Sequence, residues 1–243
     1  MRTQQIDTPA VSPAAGPPAQ TDAHAPAPAQ RPTSPTPEEY GVGARFTLLP
    51  LTDDFVAVIT DALAVDPELR AGLEVVTDDV STFVRGPESD VLGYLTAVIA
   101  RAGRTGVHTV AQVLLSRGCP GEVACEVADG VAYAPAPLAP IPATGLRAAA
   151  HWSLYPLHDG PDGDHMTAIY AAIEGARRRG TLTRGEHFAT RLDGDLADVL
   201  TTIGDAWLTV GRSVRHVATH ATISLNSPSS VDSPSAPTSA GDR

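Results

Sequence analysis

Lysine is absent. All 17 basic residues in the 243-residue chain are arginine, which excludes amine nucleophiles, Schiff-base lysines and phosphate-loop lysines. Cysteine is nearly absent too, with only Cys119 and Cys125. Two thiols imply no disulfide framework, and without nearby histidine they make a poor zinc site. No metal and no cofactor is therefore expected. No apolar run approaches the roughly 20 residues that span a bilayer. Met1-Arg2-Thr3-Gln4-Gln5 is not followed by the apolar segment of a secretory signal, so a cytoplasmic location is expected. Excess positive charge is missing as well. The formal net charge is −11, which argues against a nucleic-acid partner, since that binding is driven by Lys and Arg displacing counterions from phosphates. A cationic small ligand is easier to accommodate.

What the chain does contain is a duplication. Val76-Thr77-Asp78-Asp79-Val80-Ser81-Thr82-Phe83-Val84-Arg85-Gly86 returns as a diverged copy around Thr183 to Gly194. Thr190 follows Thr82 by 190 − 82 = 108 positions, and the same offset relates Gly86 to Gly194, Leu92 to Leu200, His108 to His216 and Ser116 to Ser224. Upstream, Leu48-Leu49-Pro50 reappears as Leu154-Tyr155-Pro156 at an offset of 156 − 50 = 106.

The copies fix the domain boundaries. Residues 1–40 form a Pro/Ala-rich stretch with too little apolar surface to offset ordering entropy, and residues 228–243 form a Ser/Pro-rich one; both read as disordered tails. Residues 41–127 and 145–227 are the two repeats. Residues 128–144, with four prolines from Pro135 to Pro142, are a stiff extended connector.

Within the first copy, Arg45 to Leu49 alternates as a strand ended by Pro50, which lacks an N–H. Thr52-Asp53-Asp54 predicts a helix cap, and Phe55, Val58, Ile59, Ala62 and Leu63 recur at helical spacing. A hairpin about Thr77-Asp78-Asp79, a second helix carrying Val91, Leu92, Leu95, Val98 and Ile99, and a last strand from Val107 to Leu115 complete the order βαββαβ. The expected fold class is α+β: tandem ferredoxin-like repeats with antiparallel sheets, two helices on one face of each four-stranded sheet. Two such sheets, each with one bare face, could bury those faces against each other or against another subunit.

Gly43-Ala44-Arg45-Phe46, Leu51-Thr52-Asp53-Asp54-Phe55, Thr77-Asp78, Ser81-Thr82, Arg85-Gly86 and Gly118-Cys119-Pro120-Gly121, with Gly185-Glu186-His187-Phe188 and Leu192-Asp193-Gly194-Asp195 in the second copy, resemble the YkoF-type thiamine/hydroxymethylpyrimidine-binding family. The resemblance spans about Gly41 to Pro228. It implies tandem ferredoxin-like repeats, each able to hold thiamine or its pyrimidine half as ligand, in a likewise implied homodimer. It also implies a binding protein without catalysis, functionally linked to uptake or salvage of vitamin B1 precursors and so to a precursor transporter.

The pyrimidine of thiamine presents an amino donor beside a ring-nitrogen acceptor, which a neighbouring backbone C=O and N–H can complement. Such groups become free where a strand runs into proline. Main-chain groups around Leu48 and Leu154 are therefore expected to take the pyrimidine edge, with the Thr82 and Thr190 hydroxyls adding a hydrogen bond. Asp79, with Asp78 beside it, could attract the thiazolium charge. His187 stands at the matching position of the second copy and, when neutral, cannot play the same part. The plainer readings are β-propensity for the threonines and turn formation for the aspartates. His108 and His216 read as hydrogen-bond partners, Trp152 as a core aromatic, and Arg117 to Gly121 as a strand exit. Two alternatives stand beside the binding protein: a regulatory module of the ACT type that senses a ligand, and a ferredoxin-like oxygenase or haem-handling protein using His108, His151 or His216.

Overall fold

The computed structural model describes residues 35–119, 133–157 and 165–229. Cys125, the His158 to Asp164 loop and nearly all of both tails lie outside the described residues. In chain order the elements are α1 (Pro37–Tyr40), β1 (Gly43–Pro50), α2 (Phe55–Leu63), a 3-10 turn (Pro67–Arg70), β2 (Glu74–Thr77), β3 (Thr82–Arg85), α3 (Glu88–Gly103) and β4 (Thr109–Arg117). The second copy supplies β5 (Arg147–Leu157), α4 (His165–Arg179), β6 (Leu182–Glu186), β7 (Ala189–Asp195), α5 (Leu196–Val210) and β8 (His216–Leu225). From β1 onward each copy is βαββαβ, as its sequence predicts.

The two sheets do not stack face to face. They are one eight-stranded antiparallel sheet in the order β2-β3-β1-β4-β8-β5-β7-β6, joined by β4 and β8 along Thr109↔Leu225 through Arg117↔Val217. The reason lies at the edges. The last strand of a lone copy carries a row of unpaired N–H and C=O groups, and the matching strand of the other copy satisfies them. Val113 faces Ala221 and Leu115 faces Thr219, and all four are buried. The same side of the sheet is therefore covered in both copies, and one continuous face is left open.

Strict alternation produces that one-sidedness. Ala44, Phe46 and Leu48 of β1 and Ala148, Ala150, Trp152 and Leu154 of β5 point into the core, while Arg45, Leu49, His151 and Tyr155 point to the open face. α3 supplies the core of the first copy with Val91, Leu92, Leu95, Val98 and Ile99, all buried; each such side chain stabilises the fold by roughly 1.5–3 kcal/mol relative to exposure. Trp152 is a core residue whose indole N–H donates to the Thr219 hydroxyl at 2.7 Å.

Local chemistry departs from expectation in two places. α1 arises in residues assigned to the tail. Thr36 and Glu39 cap it reciprocally, each side chain accepting the other's main-chain N–H, and the hydroxyl of buried Tyr40 donates to the carbonyl of Arg215 at 2.8 Å. α2 lacks the expected cap: Asp54 makes no side-chain capping bond, and the Thr52 hydroxyl instead accepts the Asp54 N–H. Of its apolar stripe only Ala62 is fully buried, because the helix stands at the rim of the core rather than across it.

The part of the connector within the described residues is fastened to the helical layer. The Tyr133 hydroxyl donates to Glu88, Ala139 N–H donates to Ser89, and the carboxylate of Asp195 gathers Thr144 N–H, Thr144 hydroxyl, Gly145 N–H and, as the cap of α5, Ala197 N–H. Burial works to raise the Asp195 pKa, yet these donors hold it below the usual carboxylate value. A depressed pKa contributes stability that is present above the unfolded-state pKa and is lost as pH falls through the folded value. Wild-type protein should therefore lose midpoint stability to urea as pH falls from about 4 toward 2, and Asp195→Asn should lose less over that range. Equal losses would mean that these bonds do not discriminate between the protonation states.

Gly118 ends β4 with φ +83°, and a Cβ there would lie 2.0 Å from the Arg215 carbonyl oxygen. Main chain cannot swing aside as a side-chain tip can. Gly118→Ala should cost at least about 2 kcal/mol in urea unfolding; a loss below about 0.5 kcal/mol would mean that this crossing is not tight.

Candidate functional site

Beyond the end of the β1–β3 ladder the sheet opens into a cleft of about 620 Å³, walled by β1, by the β2–β3 hairpin and by α2. The ladder closes at Phe46↔Thr82, whereas β1 continues to Pro50 on the β4 side. Alternate residues of β1 turn their main-chain groups to opposite sides. Leu51 N–H donates to His108 beside β4, and Gly86 N–H donates to Val42 on the β3 side. Leu48 is in phase with Val42, so its N–H and C=O point to the β3 side at a level where no strand remains. A donor and an acceptor thus stand side by side at the cleft.

The hairpin is held to this strand by side chains. The Thr47 hydroxyl donates to the Val80 carbonyl at 3.0 Å. Within the turn, one carboxylate oxygen of Asp78 accepts Val80 N–H at 2.9 Å and Ser81 N–H at 2.8 Å, and Arg45 approaches the other at 3.5 Å. The Ser81 and then the Val80 N–H, helped by the Arg45 guanidinium, keep the Asp78 carboxyl below its ordinary pKa. Asp78 is therefore a structural anion fixing the turn. Asp79 also lines the cleft and has no partner among the described residues.

Thr82 is buried, and its hydroxyl lies 3.0 Å from that of Thr77 across the hairpin. One of the two donates to the other, which leaves one proton for a further acceptor. Phe55, Ile59 and Leu63 of α2, spaced by four residues, form the apolar wall opposite. Leu48, Thr82 and Asp79 are thus brought together. Thr77 and the α2 wall were not singled out from sequence; the cross-strand register Thr77↔Thr82 was the signal that would have found Thr77.

The second copy reproduces the frame with different chemistry. The β5–β7 ladder stops at Trp152↔Thr190 while β5 runs on to Leu157, which leaves Leu154 in the place of Leu48. The Ser153 hydroxyl donates to the Phe188 carbonyl at 2.9 Å, as Thr47 does to Val80. Gly185, not a threonine, lies opposite Thr190, so Thr190 has no hydroxyl partner there. His187 is exposed at the tip, beside Phe188, which is wholly exposed at φ 65°.

The remaining candidates are dispersed. His108 Nε2 lies 3.1 Å from the Ser224 hydroxyl, and His151 stands on the open face opposite Arg191 and Thr222. Arg117 is fully buried against the rings of Tyr40 and Tyr133. No group of three or more His, Cys, Asp or Glu among the described residues is placed to hold a metal ion. No helix among them is long and apolar enough to cross a membrane.

Comparison with known proteins matches the same two segments. The sequence model of the "YKOF-related Family" fits residues 41–122 and again residues 147–230. The chain is also 32% identical over 192 residues to the protein of Bacillus subtilis (strain 168) named "Putative HMP/thiamine-binding protein YkoF", an alignment covering 77% of this chain and 91% of that one. With both halves matched and the repeat preserved in three dimensions, the chain belongs to the YkoF-related family.

Proposed function

We propose that this chain is a non-catalytic binding protein that holds thiamine or its hydroxymethylpyrimidine precursor, one ligand per repeat, in the uptake or salvage of vitamin B1, functionally linked to a precursor transporter. The observation that carries the reading is the pair of main-chain groups of Leu48, left without a strand partner at the mouth of a cleft that also holds Thr82 and Asp79. The Leu48 carbonyl accepts the ligand's exocyclic amine and the Leu48 N–H donates to the adjacent ring nitrogen. The Thr77–Thr82 hydroxyl pair supplies one further proton, and Phe55, Ile59 and Leu63 cover the ring. The relative's name refers to the same ligand class.

Charge distinguishes the two repeats. In the first, Asp79 faces the positive thiazolium of thiamine. In the second, His187 takes that position and Thr190 works without a neighbouring hydroxyl. The first repeat therefore prefers thiamine over the uncharged pyrimidine more strongly than the second does. The lack of lysine and the acidic hairpin disfavour phosphate esters.

A homodimer formed through the open face of the sheet is part of the same proposal. Eight strands about 4.8 Å apart make a face nearly 40 Å wide, bearing exposed Leu49, Val76, Leu114 and Tyr155. A second copy laid on it buries them.

Calorimetric titration with thiamine and with hydroxymethylpyrimidine tests the ligand reading. Asp79→Asn should weaken thiamine about fivefold, the effect of roughly 1 kcal/mol of screened attraction, and leave the neutral pyrimidine unchanged. Thr82→Ala should weaken both. Absence of heat with either ligand at millimolar concentration overturns the proposal. Sedimentation tests the assembly: Leu114→Asp, on the open face, should turn a dimer into a monomer with its thermal midpoint kept, and a dimer that survives the substitution places the interface elsewhere.

A further inference from the structure

A second cleft among the described residues is larger than the one described above. It measures about 840 Å³ and lies across α2 from it, between α3, the Pro67–Arg70 turn and the connector from Ala139 to Thr144. From Ser89 to Arg104 its floor follows α3 for about 22 Å at the helical rise of 1.5 Å per residue.

Its chemistry is lopsided. The floor and walls are apolar, with Gly93, Ala97 and Ala100 below and Val65, Leu69 and Ile141 at the sides. The hydroxyls that reach it are already engaged: Ser89 with Pro137 and Ala139, Thr96 with the Leu92 carbonyl, Thr105 with Ala102 and Val107. Pro140 and Pro142 have no N–H to offer. The many polar groups of a sugar or a nucleotide would find few free side-chain partners there. Arg101 is neutralised by a two-pronged pair with Asp61 at 2.8 and 2.9 Å, and the Asp66 carboxylate is held by Glu68 N–H. Arg104, at one end of the floor, lines the cleft and has no partner among the described residues.

Gly93 adds an independent sign. Glycine inside a 16-residue helix costs about 0.5–1 kcal/mol relative to alanine. Packing does not require it, because a Cβ built there meets no atom within 4 Å. What the glycine does is keep the floor of the cleft low.

A guanidinium without a partner among the described residues at one end, a long apolar trough and side-chain hydroxyls already engaged suit an amphiphile with a single anionic head. We infer that this cleft is a second ligand site, distinct from the pyrimidine cleft, for a long-chain acyl carboxylate whose head pairs with Arg104 and whose chain lies over Gly93 and Ala97.

The probes are 11-(dansylamino)undecanoate, followed by its fluorescence, and laurate and dodecanol as competitors, used with the full-length protein. Wild type should bind the dansyl acid saturably below about 0.1 mM, with laurate displacing it better than dodecanol. Gly93→Leu fills the trough with a good helix former. It should weaken the dansyl acid at least tenfold while its thermal midpoint stays level or rises, so that loss of binding is not loss of fold. Arg104→Gln should bring laurate down to the strength of dodecanol. Thiamine heats of both variants should match wild type, which separates this site from the pyrimidine cleft. No saturable binding to wild type, unchanged affinity in Gly93→Leu, or an undiminished preference for laurate in Arg104→Gln overturns the inference.

Discussion

The pairing of β4 with β8 is the contact on which the architecture depends. It is a ladder of main-chain hydrogen bonds between the last strands of two copies, and it converts two four-stranded sheets into one. Because cross-strand neighbours share a face, the buried sides of the copies become continuous, and α3 and α5 meet above the seam. The open side becomes continuous as well. The hairpins β2–β3 and β6–β7 are driven to opposite ends of the sheet, so the cleft beside the first hairpin lies away from the seam.

Much of this is legible in the residues. Thr82 and Thr190 read in register because they occupy the same ladder position, each facing the last paired residue of its first strand, Phe46 or Trp152. The stripe on α3 is clear because its large apolar residues all point inward. The edge-to-edge join is not legible: main-chain hydrogen bonds leave no side-chain signature, and a strand with one bare face has the same alternation whether its edge is free or paired. α1 is not legible because four residues with a reciprocal Thr36–Glu39 cap are hidden in a proline-rich background. The start of α2 is ambiguous in the sequence because a Thr-Asp-Asp run suits a tight turn as well as a helix start.

At the candidate site the sequence identified positions better than roles. Thr82 is half of a hydroxyl pair with Thr77, which only the hairpin register reveals. Of the two adjacent aspartates, Asp78 is consumed in closing the turn and Asp79 remains open; their order in the chain does not distinguish them. The hydroxyls of Thr47 and Ser153, which tie each hairpin tip to the first strand, differ in residue type between copies and so did not stand out as a repeat.

The exposed helix α2 has a further consequence. Phe55, Ile59 and Leu63 lie on one side of it and Asp61 on nearly the opposite side, since two residues of helix turn through about 200°. The first three border the cleft beside the β2–β3 hairpin and Asp61 borders the larger one. With Ala62 its only fully buried residue and no side-chain cap at its start, α2 is a lightly anchored partition. A displacement of α2 that widens one cleft narrows the other.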